Sequence, residues 1–167
     1  LTELVRDPDV AYGLQTKAYS AEYTDPARNN ATDYDPKAIK DRIEKVLGKS
    51  VRLAWANFTH AGEYSHDVVQ GVIRLSVHAL DPMSTAHHES AHAFFAQLRD
   101  AGAHDIVGVL DKAASNEHVI RQLNERFKDQ PAVLKQLADP EERVAYMYQM
   151  WMADKSFTLT PRVRNAF

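Results

Sequence analysis

Residues 84–100 read STAHHESAHAFFAQLRD. Ser84 can cap a helix, and Ala91, Phe94, Phe95 and Leu98 can share a core-facing side, so the stretch predicts an amphipathic helix over 84–100. On that helix His88 and His92 stand four residues apart, one turn above the other, close enough to grip a single ion. His87 is turned about 100° away by the helical period and leaves that face. Glu89 directly follows the first histidine, which makes the pattern H-E-x-x-H, in which two imidazoles hold zinc and the carboxylate takes a proton from water. His88 and His92 are therefore the candidate ligands, Zn2+ the candidate metal, and Glu89 the candidate catalytic base.

A catalytic zinc site normally has three protein ligands. The chain contains no cysteine, so only His, Asp and Glu can complete the set. The longer pattern H-E-x-x-H-x-x-G-x-x-H is excluded, because Phe95 and Leu98 stand where its glycine and third histidine belong. The best source is the segment ADPEERVAYMYQMWMAD at 138–154, where Asp139 can cap a helix, Pro140 takes its first position, and Glu142, Tyr146 and Gln149 form a polar stripe. Glu142 is the favoured third ligand. Three alternatives stay open: a capping box in which Glu142 folds back on Asp139, Glu141 as the ligand, or Glu117 in SNEHVI at 115–120. Tyr146 is the candidate hydroxyl donor to a developing oxyanion, with simple packing beside the metal helix as its alternative.

Before this region, residues 1–35 include YTDPARNNATDYDP and show no sustained period, so they are expected to form an arm or linker. A helix is predicted at DPKAIKDRIEKVLG, capped by Asp35, begun by Pro36 and ended by Gly48, with Ile39, Ile43 and Leu47 on one face. SVRLAWANF and GVIRLSVHAL alternate at period two and predict two strands, joined through a long loop, THAGEYSHDVVQ, with His60 and His66 in solvent. The second strand is a candidate sheet edge for an extended substrate, and His78 at its end is a strand residue rather than a ligand. Helices are then expected at about 84–100, 104–114, 116–128, 131–138 and 140–153. The fold class is α+β: a small antiparallel sheet packed on a predominantly helical domain spanning 36–167.

The 167 residues suit one domain, with 44% hydrophobic and 26% charged residues and a net charge of -3. That balance lacks the basic excess of a nucleic-acid binder, so no nucleic-acid partner is expected. No run reaches the roughly 20 apolar residues of a membrane span, and no signal-peptide layout opens the chain. The absence of cysteine fits a reducing cytosol. A start at Leu1 suggests a piece of a longer polypeptide.

HESAH at 88–92, together with EERVA at 141–145, resembles the zincin-like metallopeptidases, especially the compact ImmA/IrrE type and the zincin-like domains of large polyvalent phage proteins. The likeness covers residues 36–153 and rests also on the order helix, strand, strand, histidine helix, distal helix. It implies a gluzincin-like peptidase with a metal-binding glutamate three residues before an alanine, a spacing that Glu142 and Ala145 match. It further implies a protein or peptide substrate and a place in a multi-domain phage protein, in the cytoplasm of a bacterial host. A second reading is a zincin-like binding or structural module without catalysis, whose site would be closed by a fourth protein ligand such as His104 or His118.

Overall fold

The computed structural model describes residues 17–21, 24–27, 29, 34–66, 70–153 and 157–167. The helix expected after Asp35 runs Pro36–Leu47 (α1), for the reasons legible in its ends. Asp35 accepts a hydrogen bond from the Lys37 amide, Pro36 occupies the first turn, and Gly48 leaves the helix at φ 70°. Ile39, Ile43 and Leu47 are buried, as their shared face requires.

The sheet differs from expectation. Its strands are β1 (Lys17–Ser20), β2 (Val51–Ala56), β3 (Gly62–His66) and β4 (Gly71–Ser76), in the order β1-β3-β4-β2. β3 is antiparallel to both β1 and β4, whereas β2 and β4 are parallel, so the sheet is mixed rather than antiparallel. The reason lies in the segment expected to be a loop, since Gly62–His66 enters the sheet as β3 and reverses the chain before β4 begins. β2 then pairs on the other side of β4, in the register Leu53 to Ile73 and Trp55 to Leu75. The stretch expected to be a linker also contributes, because Lys17–Ser20 is an edge strand held against β3. Of the rest of the expected arm at 1–35, residues 1–16, 22, 23, 28 and 30–33 lie outside the described residues.

Six further helices follow: α2 (Pro82–Asp100), α3 (His104–Ala114), α4 (Glu117–Arg126), α5 (Pro131–Gln136), α6 (Pro140–Ala153) and α7 (Pro161–Arg164). The fold is α+β. α2 starts two residues earlier than Ser84 because Asp81 is the cap, its carboxylate accepting from the Ser84 amide at 3.0 Å and the Ser84 hydroxyl at 2.8 Å. This helix is not a surface helix with one apolar stripe but a central one. Ala86, Ala93 and Ala96 pack with α1 and the sheet residues Tyr64, Ile73 and Leu75, while Phe95 joins Leu110, Leu123, Val144 and Met147 of the helical half. Small residues on the sheet side and a large one on the bundle side let α2 lie between both. Among the described residues no helix is long and apolar enough to cross a membrane.

Gly62 sets how closely β3 approaches α2. A Cβ there would stand 2.5 Å from the Thr85 methyl and 3.4 Å from Glu89 Cγ, so the strand lies almost directly on the turn of the helix that carries Thr85 and Glu89. Gly62→Ala is expected to destabilise the fold by about 1–3 kcal/mol through overpacking. Thr85→Ser, which removes the methyl and keeps the hydroxyl bonded to the Asp81 carbonyl, should recover much of that loss. Urea denaturation of the two single variants and the double variant checks this, and additive losses would contradict the close approach.

Candidate metal centre

The two histidines and the distal glutamate meet. α2 presents His88 and His92 one turn apart, and α6 crosses α2 so that Glu142, in its first turn, faces both. The two Nε2 atoms are 3.3 Å apart, and Glu142 Oε2 lies 3.2 Å from that of His88 and 3.6 Å from that of His92. Zinc bonds of about 2.0–2.2 Å at tetrahedral angles would place ligand atoms about 3.4 Å apart, so these three separations outline one face of such a site. Both histidines are buried and the Glu142 side chain is 13% exposed. Among the described residues, His88, His92 and Glu142 form the cluster that could hold a metal ion. Two imidazoles and one carboxylate suit a first-row ion such as zinc better than calcium or magnesium, which prefer all-oxygen shells.

The geometry also decides among the alternatives for the distal helix. Asp139 Oδ1 accepts from the Glu141 amide at 2.8 Å, and the Asp139 amide bonds to the Gln136 carbonyl, so Glu142 does not fold back as a capping box. Glu141 points to the other nitrogen of His92, its Oε1 lying 3.1 Å from Nδ1, and is outside the ligand cluster. Glu117 is exposed at the start of α4, whose cap is Asn116. His87 leaves the site as its register requires and packs edge-on against Tyr148, with ring centroids 6.0 Å apart. Burial, aided by Arg42, lowers its pKa to about 4.

His104 and His118 are exposed and, among the described residues, belong to no such cluster. His78 reaches Asn57 Oδ1 at 2.9 Å, in the turn after β4. His60 and His66 are half-buried rather than solvated, because β3 draws them in. The His60 ring stacks on Phe58 at 4.2 Å, and His66 Nδ1 lies 2.9 Å from the Tyr64 hydroxyl.

The structure also places Tyr146 and corrects the expectation for β4. Tyr146 is fully buried, its ring 4.3 Å from that of His88, and its hydroxyl donates to Gln136 Oε1 at 2.8 Å. Tyr146 thus packs beside the histidine helix with its hydroxyl bonded inside the fold. β4 is not an edge strand, since β2 and β3 flank it; the edge beside α2 is β1. The outer side of β1 is itself engaged, with the Gln136 amide donating to the Tyr19 carbonyl.

Burial dominates the electrostatics. The Glu89 side chain is completely buried, and neither carboxylate oxygen has a hydrogen bond of normal geometry. Desolvation raises its pKa well above the usual carboxylate range, against the opposing pull of His92 and the Ser20 backbone amide. Desolvation likewise lowers the pKa of His88. For His92 burial acts downward, but Glu141 at its Nδ1 and the nearby carboxyl groups of Glu142 and Glu89 prevail and raise it to about 10. Burial works to raise the pKa of Glu142, and the two histidines override it and lower it to about 2. The pocket thus gathers carboxylates that favour a positive charge at its centre. Glu142 Oε2 is close enough to His88 for a hydrogen bond yet does not align for one, as suits donors that converge on a shared point.

The fold and site define an α+β domain with a buried cluster of two histidines and one glutamate and the Glu89 carboxyl group beside it. Comparison of the chain with family models, curated proteins and solved structures finds no match. Sequence reasoning left Glu141 open as an alternative to Glu142 for the third ligand. The companion it missed is Arg99, whose guanidinium meets Glu141 Oε2. Arg99 lies at the end of α2, where a basic residue is an ordinary helix-terminal feature, so no local signal marked it.

Proposed function

We propose that this protein is a zinc-dependent peptidase of the zincin-like type, in which His88, His92 and Glu142 hold the metal and Glu89 is the general base. What supports this reading is the convergence of three ligand atoms at tetrahedral spacing, with Glu89 following His88 on the same buried helix. When bound, zinc supplies Lewis acidity, polarising a carbonyl oxygen and making water a competent nucleophile near neutral pH. Glu89 accepts the proton that water loses on attacking the peptide carbonyl and returns one to the leaving amine. Its burial suits both duties, because a carboxyl group whose pKa lies well above the ordinary range gains a proton more readily than an exposed carboxylate would. Gly62 contributes by bringing β3 against Glu89 Cγ, which limits the side chain's freedom.

The substrate class follows from the resemblance, and it is a protein or peptide. The same resemblance implies one module of a larger phage protein, acting in bacterial cytoplasm. Digestion of a broad peptide library tests the activity. Cleavage is expected with zinc present and should disappear with a strong chelator. Zinc-bound protein that cleaves nothing in the library would favour a binding module instead.

A further inference from the structure

His92 has two ring nitrogens, and they meet different glutamates of α6. Nε2 faces Glu142, the candidate ligand, whereas Nδ1 lies 3.1 Å from Glu141 Oε1. Successive residues on a helix diverge by about 100°, so the pair Glu141-Glu142 can straddle a single imidazole only because α6 crosses α2 with its first turn at His92. Glu141 is held in turn, as its second oxygen meets the guanidinium of Arg99, one residue before the end of α2. His88 is built differently, with Nδ1 buried and no carboxylate within ion-pair distance of it among the described residues.

We propose that Glu141, held by Arg99, is a positioning residue that fixes His92 as the Nδ1–H tautomer and aims its Nε2 lone pair at the metal. The inference rests on the metal reading above and assigns a role to a residue outside the ligand set. An imidazole binds metal through its unprotonated nitrogen, and the partner on the opposite nitrogen decides which one that is. A carboxylate there also makes the ring a better donor and holds its plane. Glu141 is the residue placed to do this for His92. The ion pair with Arg99 has little value as a brace for the fold, because the Arg99 side chain is 42% exposed and such pairs are weak in water. Its effect is to keep Glu141 from swinging into solvent.

The test is zinc affinity, measured on the full chain by competition with a chromogenic chelator, for the wild type and for Glu141→Ala, Glu141→Gln and Arg99→Ala. Glu141→Ala should bind zinc about 10–100-fold more weakly. Glu141→Gln should lose less, since its amide oxygen can still accept from Nδ1–H, and Arg99→Ala should lose less than Glu141→Ala. Nitrogen NMR of the zinc-loaded wild type should show the His92 proton on Nδ1. A merely structural ion pair would lower the melting temperature in chelator equally for Glu141→Ala and Arg99→Ala and leave zinc affinity alone. Undiminished affinity in Glu141→Ala, or metal on Nδ1 of His92, would overturn the inference while leaving the metal centre in place. If Glu141→Ala does not fold, equal affinity of Glu141→Gln, Arg99→Ala and the wild type overturns it. A wild type that binds no zinc would overturn both readings.

Discussion

Glu89→Gln is expected to keep the fold and the zinc affinity and to lower peptide hydrolysis by at least about 100-fold, the usual scale for losing a general base. The amide matches the carboxylate in shape but has no oxygen basic enough to take a proton from water. Stability should hold because Glu89 is fully buried and desolvation already disfavours its charge, so a neutral isostere relieves a cost instead of adding one. Rates on a peptide identified from the library, measured beside zinc titrations and thermal melts in chelator, separate the two properties. Hydrolysis at the wild-type rate by the variant would remove Glu89 from the chemistry.

Glu142→Ala should abolish tight zinc binding while leaving the capping of α6 intact. The second half follows from the capping geometry, because Asp139 caps α6 through the Glu141 amide without help from Glu142. The first follows from the ligand set, which falls from three side chains to two. Zinc stabilises the wild type through mass action, so the rise in melting temperature on adding zinc should vanish in Glu142→Ala. Glu117→Ala serves as a control, since that residue is exposed on α4 and should behave as the wild type. Full zinc-dependent stabilisation of Glu142→Ala would move the third ligand elsewhere.

The parts of the site that sequence reveals are those written in helical period. His88 and His92 are readable because residues four apart share a face, and Glu142 because a polar stripe in an otherwise apolar helix needs something to face. The sheet was legible only in its two alternating strands. β3 escapes notice because Gly62, Glu63 and Ser65 are small or polar, leaving Tyr64 as its one large hydrophobic residue. β1 is short and precedes a stretch rich in Asp, Asn and Pro that reads as linker. The parallel pairing of β2 with β4 is a non-local fact that depends on β3, so two alternating segments by themselves suggest a hairpin. Tyr146 and Glu141 show the same limit within the site. Helical spacing gives the side of α6 on which each lies, but not that Gln136 takes the Tyr146 hydroxyl or that Glu141 finds His92 Nδ1.

The most direct test of the metal centre is elemental analysis of purified protein after zinc loading and exhaustive dialysis. The wild type and His87→Ala should each retain about one zinc per chain, and His88→Ala and His92→Ala should retain almost none, because His87 packs against Tyr148 while the other two share the cluster with Glu142. No zinc in the wild type, or equal losses in all three histidine variants, would contradict a centre built on His88, His92 and Glu142.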